Sequence, residues 1–271
     1  MPKFKDLLKA WRESDERLDR LIAKMEPTLQ GRRKELVKLI KALPVGADGT
    51  ISSGVKASTI LNKLGLDTEI TKALGKLFPQ AINSAGPLLD AVDLEVPDVS
   101  RRAQLTFANK ADGLVKKVTG SLNKGLSGLL QQAASTPIPA DKLAKLASSL
   151  ADQPIAQART VANTTLSGLQ RETASQAAAG LPGKKKDVYW IYAGPSGGPI
   201  RPFCEVLVGK AIPQPLMSKL NNGQGLSVKS FQGGYNCRHS LVPVSKAFVD
   251  AANVPKANAA TVGKANGAAK K

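Results

Sequence analysis

The sequence predicts an α+β protein: a mainly helical N-terminal two-thirds, a small mixed α/β C-terminal domain and a disordered basic tail. Three observations carry this prediction. Apolar residues recur at helical spacing through the first 180 positions. After them the texture changes to short β-rich runs punctuated by glycine and proline. The last stretch reduces to Ala, Asn, Lys and Gly without an acid, a composition too poor in apolar surface to offset the entropy of ordering. Of eleven aromatic residues, seven follow position 180 and none falls between Phe107 and Tyr189. Because aromatics dominate core energetics, the compact core is expected in the last third, with the remainder extended or dependent on a partner.

Along the chain, Phe4, Leu7, Leu8, Trp11, Leu18, Leu21, Ile22 and Met25 form the apolar stripe of a first amphipathic helix, which Pro27 interrupts. A second helix runs to about Leu43, so that 1–43 reads as a helical arm. The segment "PVGADGTISSGVK" is a loop, and short helices follow near 56–64 and 67–78, the second opened by Asp67 and Glu69. "FPQAINSAGPLLDAVDLEVPD", with three prolines and a glycine, is expected to end a 44–97 region. Residues 98–134 are helical in period but contain Gly113, Gly120, Gly125 and Gly128, each costing about 1 kcal/mol relative to alanine. Such a helix serves close packing against a neighbour or, in the sharper reading, binding to a membrane surface. One helix after Asp141 and another from about Asp152 to Ala179, with Pro154 in its first turn, put a boundary at 152/153. In the 153–250 domain, "VYWIYAG", "LSVKSF" and "HSLVPVS" are strand candidates. Residues 251–271 are the tail.

The net charge is +18, from 39 basic and 21 acidic side chains, and it is concentrated in residues 181–271, which carry +10. Such a field favours polyanionic partners, nucleic acid first among them. Lys184, Lys185, Lys186, Lys256, Lys264, Lys270 and Lys271 are the expected phosphate contacts; the plainer alternative is that they are solvated charges. No apolar run reaches the ~18 residues of a membrane span, and the N-terminus turns charged too early for a secretion signal. A soluble protein in a reducing compartment is expected, with both cysteines as thiols unless a metal holds them.

The chemistry-bearing residues are few. "AGPSGGP" lacks the Gly-Lys-Ser/Thr of a phosphate loop. Cys204, Cys237 and His239, the latter the only histidine, leave three readings open. Cysteine–histidine catalysis would use Cys204 as nucleophile and His239 as base, with a third group to orient the ring. A zinc site has three of its four ligands here, Asp187, Glu205 or water being needed for the fourth. Cys237 and His239 would face the same side of a strand. Structural use, as buried thiols or as a disulfide contributing roughly 3 to 4 kcal/mol, is the leading reading.

The segments "AQARTVANTTLSGLQRETASQAAAG", "VYWIYAGPSGGPIRPFCEVLVGK" and "YNCRHSLVPVS" resemble, in order and spacing, the C-terminal domain of the phage Mu F-type minor head (head morphogenesis) proteins. The matching positions are Arg159, Thr160, Asn163, Trp190, Cys204, Leu207, Gly209, Lys210, Asn236, Cys237, Arg238 and the strand from Leu241 to Val244, with His239 as a variant of the closing step. The chain departs from the family pattern in lacking a second cysteine beside Cys204 and a Pro-Pro-x-His-Pro segment before Cys237, which weakens any metal site carried over. The resemblance implies a minor capsid protein, inside the virion near the portal protein, with a role in head assembly or DNA ejection; the charge adds packaged double-stranded DNA as an expected partner, and no enzymatic turnover is expected. A membrane-active ejection protein meeting the host membrane, and a nucleoid-type DNA-binding protein, are the alternatives. During assembly the protein is expected in the host cytoplasm.

Overall fold

The computed structural model describes residues 4–48, 50–51, 54–99, 101–181, 187–196, 200–234 and 237–270. In chain order the helices are α1 (Phe4–Ala23), α2 (Glu26–Lys41), α3 (Ala57–Leu64), α4 (Leu66–Asn83), α5 (Gly86–Asp90), α6 (Arg101–Ser135) and α7 (Ala140–Ala177). Then come β1 (Val188–Ala193), α8 (Pro202–Leu207), β2 (Ala211–Pro213), α9 (Gln214–Met217), α10 (Val228–Phe231), β3 (Ser240–Ser245), α11 (Lys246–Ala251) and α12 (Ala259–Ala268). The expected α+β class holds: helices dominate, and a small antiparallel sheet lies near the C-terminus.

The helix boundaries follow local chemistry. In α1 the buried residues Leu7, Trp11, Ser14, Leu18 and Leu21 repeat at alternating steps of four and three, a single stripe along one face. Pro27 sits in the first turn of α2, where its missing N–H has no partner to lose. Gly65, at φ +56°, ends α3 in the left-handed conformation that glycine adopts without steric cost.

The chain divides into two compact units, each discontinuous in sequence: residues 1–21, 77–107 and 163–271 form one, and 22–76 with 108–162 form the other. The second unit is helical with an aliphatic core. Leu29, Leu36, Ile40, Ile60, Leu64, Ile70, Leu74, Val115, Leu122 and Leu126 are all buried. Ion pairs Arg33–Asp152 (2.8 Å), Lys41–Asp141 (2.7 Å) and Arg159–Glu26 link α2 to α7.

In the first unit β1 is the central strand, antiparallel to both neighbours in the order β2-β1-β3. Trp190 pairs with Ile212 on one side and Pro243 on the other. Pro243, which cannot donate to a ladder, lies in an outer strand, where proline is tolerated. Period-two alternation sends Ile191, Ala193, Val242 and Val244 to one core with Leu7, Trp11, Leu88 and Leu89. Trp190, Tyr192, Ile212 and Leu241 face a second core with Phe203, Cys204, Leu207, Cys237 and Val262. Both faces of the sheet are therefore covered.

Several expectations are corrected. Burial is not confined to the last third, because leucine, isoleucine and valine at helical spacing build the second unit's core without aromatics. Pro79 and Pro154 lie inside α4 and α7, so α4 continues to Asn83 and one helix runs through 152/153; Pro154 is itself buried, and packing outweighs a cost of about 3 kcal/mol. "LSVKSF" contains the helical turn α10 rather than a strand. The tail is ordered through residue 270. Asn258 and Thr261 form a reciprocal capping box that starts α12, Val262 and Ala265 are buried, and residues 255–257 extend the edge of β2 through Ala211 N–H···O=C Pro255 (2.8 Å) and Ala257 N–H···O=C Ala211 (2.9 Å). A composition average misses four well-placed apolar residues, Val254, Ala257, Val262 and Ala265.

The apolar face of α6, from Phe107 through Val115, Val118 and Leu122 to Leu130, is buried. Of its glycines, Gly125 comes close to the Leu150 side chain, at which a Cβ would stand 3.3 Å away, while Gly113, Gly120 and Gly128 have no such neighbour. Among the described residues no helix is long and apolar enough to cross a membrane.

Candidate functional site

The site lies on the face of the sheet that carries Tyr192. β1 brings Tyr192 into the core, α8 presents Cys204 in its second turn-forming position after Pro202, and the approach to β3 supplies Cys237 and His239. Residues 237–239 precede the strand proper, yet they alternate as a strand does: Cys237 and His239 point inward, and Arg238 points outward. Arg238 pairs there with Asp15 and Asp19, at 2.5 and 2.6 Å. The Trp11 indole N–H donates to the Arg238 carbonyl at 3.2 Å, so α1 fixes this segment from outside.

Cys204, Cys237 and His239 are 1, 7 and 3 % exposed, which denies the sulfurs to a bulky substrate. The two Sγ atoms are 3.8 Å apart and not bonded. Cys237 Sγ lies 3.6 Å from His239 Nδ1 and accepts the Gly233 backbone N–H at 3.3 Å. The Tyr192 hydroxyl donates to Cys204 Sγ at 3.2 Å. His239 Nε2 stands 3.1 Å from the Pro195 carbonyl. Since a carbonyl only accepts, Nε2 carries the proton, and Nδ1 presents its lone pair to the sulfurs.

Two glycines make this approach possible. A Cβ at Gly194 would overlap the His239 ring, and one at Gly233 would overlap Cys204 Sγ. Gly209, at φ +75°, turns the chain after α8; its N–H donates to the Tyr192 carbonyl (2.9 Å), and the Tyr192 N–H donates to the Lys210 carbonyl (3.0 Å). The Leu-x-Gly-Lys segment thus sets the register of β2 beside the site.

Arg171 of α7 is a buried cation at the same place. It donates to the Cys237 carbonyl, and its Nε has no hydrogen-bond partner among the described residues. Hydrogen bonding from the Cys204 thiol, helped by the Arg171 charge, holds the Cys237 thiol well below its usual range against the effect of burial. Cys204 moves the opposite way, because its proton is engaged by Cys237 and because it is buried.

The structure unites Cys204, Cys237 and His239, which the sequence left under three open readings, and sets Trp190, Gly209 and Lys210 near them. It pairs His239 with Cys237, not with Cys204 as the nucleophilic reading required. Asp187 and Glu205 do not join the cluster; among the described residues the three side chains stand without a fourth acidic, histidine or cysteine ligand. Arg159 and Thr160 belong to the other unit, where Arg159 pairs with Glu26 and the Thr160 hydroxyl donates to Ala156 of its own helix at 3.2 Å. Lys184, Lys185, Lys186 and Lys271 lie outside the described residues. Lys256 is held by Asp250 at 2.5 Å and lies 5.9 Å from the Tyr189 ring centre, whereas Lys264 and Lys270 are exposed. Sequence reasoning missed Arg171, Tyr192 as a hydrogen-bond donor, and Gly194. Arg171 falls between Gln170 and Glu172 in an ordinary helical pattern, and only the fold turns it inward.

The sequence and the fold match no protein-family model, no curated protein and no solved structure.

Proposed function

We propose that this chain is a minor structural protein of a tailed-phage particle, resident inside the head near the portal and in contact with packaged double-stranded DNA, without substrate turnover. One observation carries the reading. Three of the segments on which the resemblance to Mu F-type head proteins rests, the aromatic strand, the Cys204–Lys210 stretch and the Cys237–Val244 step, are neighbours in space, while Arg159 and Thr160 of the helical segment lie in the other unit: β1 pairs with both β2 and β3, and the two cysteines meet on one face. A chance likeness in three segments spread over residues 188–244 has no reason to assemble into one sheet and one cluster. The charge supports contact with DNA in a sequence-blind, salt-sensitive manner, through counterion release. It is shared by both units, with 17 basic against 8 acidic side chains in the aliphatic one and 22 against 13 in the other.

The test is quantitative mass spectrometry of purified particles before and after triggered DNA release. A few copies per particle are expected, and their loss on release would make the protein an ejected one. Hundreds of copies would make it a shell component, and absence from particles would favour a nucleoid-type DNA-binding protein. Alanine replacement of Lys184, Lys185, Lys186, Lys256, Lys264, Lys270 and Lys271 should weaken DNA binding and flatten its salt dependence; unchanged binding would remove these lysines from the interface.

A further inference from the structure

We propose that Cys204 Sγ, Cys237 Sγ and His239 Nδ1 bind one zinc ion, with a water at the fourth position. The spacing of the donors carries this. Zinc bound to sulfur at ~2.3 Å and to imidazole nitrogen at ~2.0 Å, with tetrahedral angles, sets two sulfurs ~3.8 Å apart and sulfur and nitrogen ~3.5 Å apart. The corresponding separations here are 3.8 Å and 3.6 Å, and all three ligand atoms fall within 4.8 Å of one another. A disulfide would need the sulfurs at ~2.05 Å. Van der Waals contact alone would also bring two thiols to about this distance; what marks a metal site is that the imidazole Nδ1 stands beside both thiols at the same place.

The surroundings match what a metal requires of its outer shell. A ligating histidine donates its other ring N–H to a fixed acceptor, which holds the tautomer and the ring plane. His239 does this through Nε2 and the Pro195 carbonyl. Thiolate ligands need hydrogen-bond donors to spread their charge, and each sulfur has one: the Gly233 N–H on Cys237 and the Tyr192 hydroxyl on Cys204. Gly194 and Gly233 leave the room that the ring and the sulfurs occupy, since a Cβ at either would overlap a ligand side chain. Cys204 lies in α8 and the other two ligands lie 33 and 35 positions downstream, so the ion would tie α8 to the entry of β3. Ligands that must be deprotonated and assembled by folding make metal binding part of folding.

This inference is independent of the particle location, and it is tested on the purified full chain under a reductant that does not bind metal. After dialysis against metal-free buffer, elemental analysis is expected to find about one zinc per chain, and replacement by Co2+ should give sulfur-to-cobalt charge transfer together with the intense visible bands of a tetrahedral site. Cys204→Ser and Cys237→Ser should each lose the metal and these bands. Should the variants fail to fold, the cobalt spectrum of the unaltered chain still reports the ligand atoms directly. Two freely titrating thiols with no retained metal would overturn the proposal. So would metal retained in full by a folded Cys237→Ser variant, or a cobalt spectrum without sulfur ligation.

Discussion

The unit formed by residues 22–76 and 108–162 contains no aromatic residue, no cysteine and no histidine; all eleven aromatics, both cysteines and His239 belong to the other. Their cores differ accordingly. In the aliphatic unit, buried leucine, isoleucine and valine recur at helical spacing, and the polar work is left to surface ion pairs such as Arg33–Asp152. In the aromatic unit, Trp190, Tyr192 and Phe203 fill a core that also holds Arg171, Gln170, His239 and two thiols. The difference teaches that helix-on-helix packing needs only shape and burial, whereas a three-stranded sheet covered on both faces brings polar side chains inside, where each needs a partner. Gln170 shows this: its side-chain N–H groups reach Ser14 Oγ (3.2 Å) and the Ser84 carbonyl (3.3 Å).

The contrast supplies its own probes, because Trp11 and Trp190 report on the aromatic unit alone while far-ultraviolet dichroism reports helix in both. The largest effect is expected for Trp190→Ala, which removes a 2 % exposed side chain and orphans Gln214, at about 4 kcal/mol. The Trp11 transition should fall, with a smaller change in total helix. Next, Leu36→Ala, at a site 1 % exposed, should cost about 3 kcal/mol and lower the dichroism transition while sparing tryptophan fluorescence. Coincident shifts of both probes in either variant would break the comparison and make the units one cooperative block. Gly233→Ala should cost about 2 kcal/mol by driving a methyl group into Cys204 Sγ, seen in fluorescence alone. Asn258→Ala, which loses the capping box of α12, should cost about 1 kcal/mol, and equal stability would mean the tail helix contributes nothing.

The smallest effects concern acid, and they carry opposite signs in the two units. In the aliphatic unit, hydrogen bonds from Gln30 and Arg159 lower Glu26, so its contribution is present above pH 4.5 and is lost as pH falls through the lower folded value. In the aromatic unit, burial raises Asp15 more than Arg238 lowers it, so its protonated form is favoured by folding, and that contribution disappears as pH rises through the raised value. Glu26→Gln should flatten the acid limb of the dichroism transition, and Asp15→Asn should flatten the opposite slope in fluorescence, each by less than about 1 kcal/mol. The same slope in both variants would contradict these assignments.

The legible parts were those written in local pattern. The stripe of α1, the Pro27 break, the short helix near 56–64 and the strand character of "VYWIYAG" and "HSLVPVS" all follow from spacing and turn chemistry within a few residues. The nearness of Cys237 and His239 was readable for the same reason, being an i, i+2 relation. Pro79, Pro154 and the tail misled because each is unfavourable by itself and is tolerated only with neighbours distant in sequence.

The sequence by itself determined the periodicities, the class of fold, the excess of positive charge and the short inventory of reactive side chains. Tertiary structure alone decided that Cys204 meets Cys237, that His239 turns Nδ1 toward the sulfurs, and that Arg171, one of many helical arginines, becomes their buried companion. Local pattern fixes which face of an element is apolar, but the partner of a buried polar atom is set by packing between elements tens of residues apart, and no repeat in the chain encodes that distance.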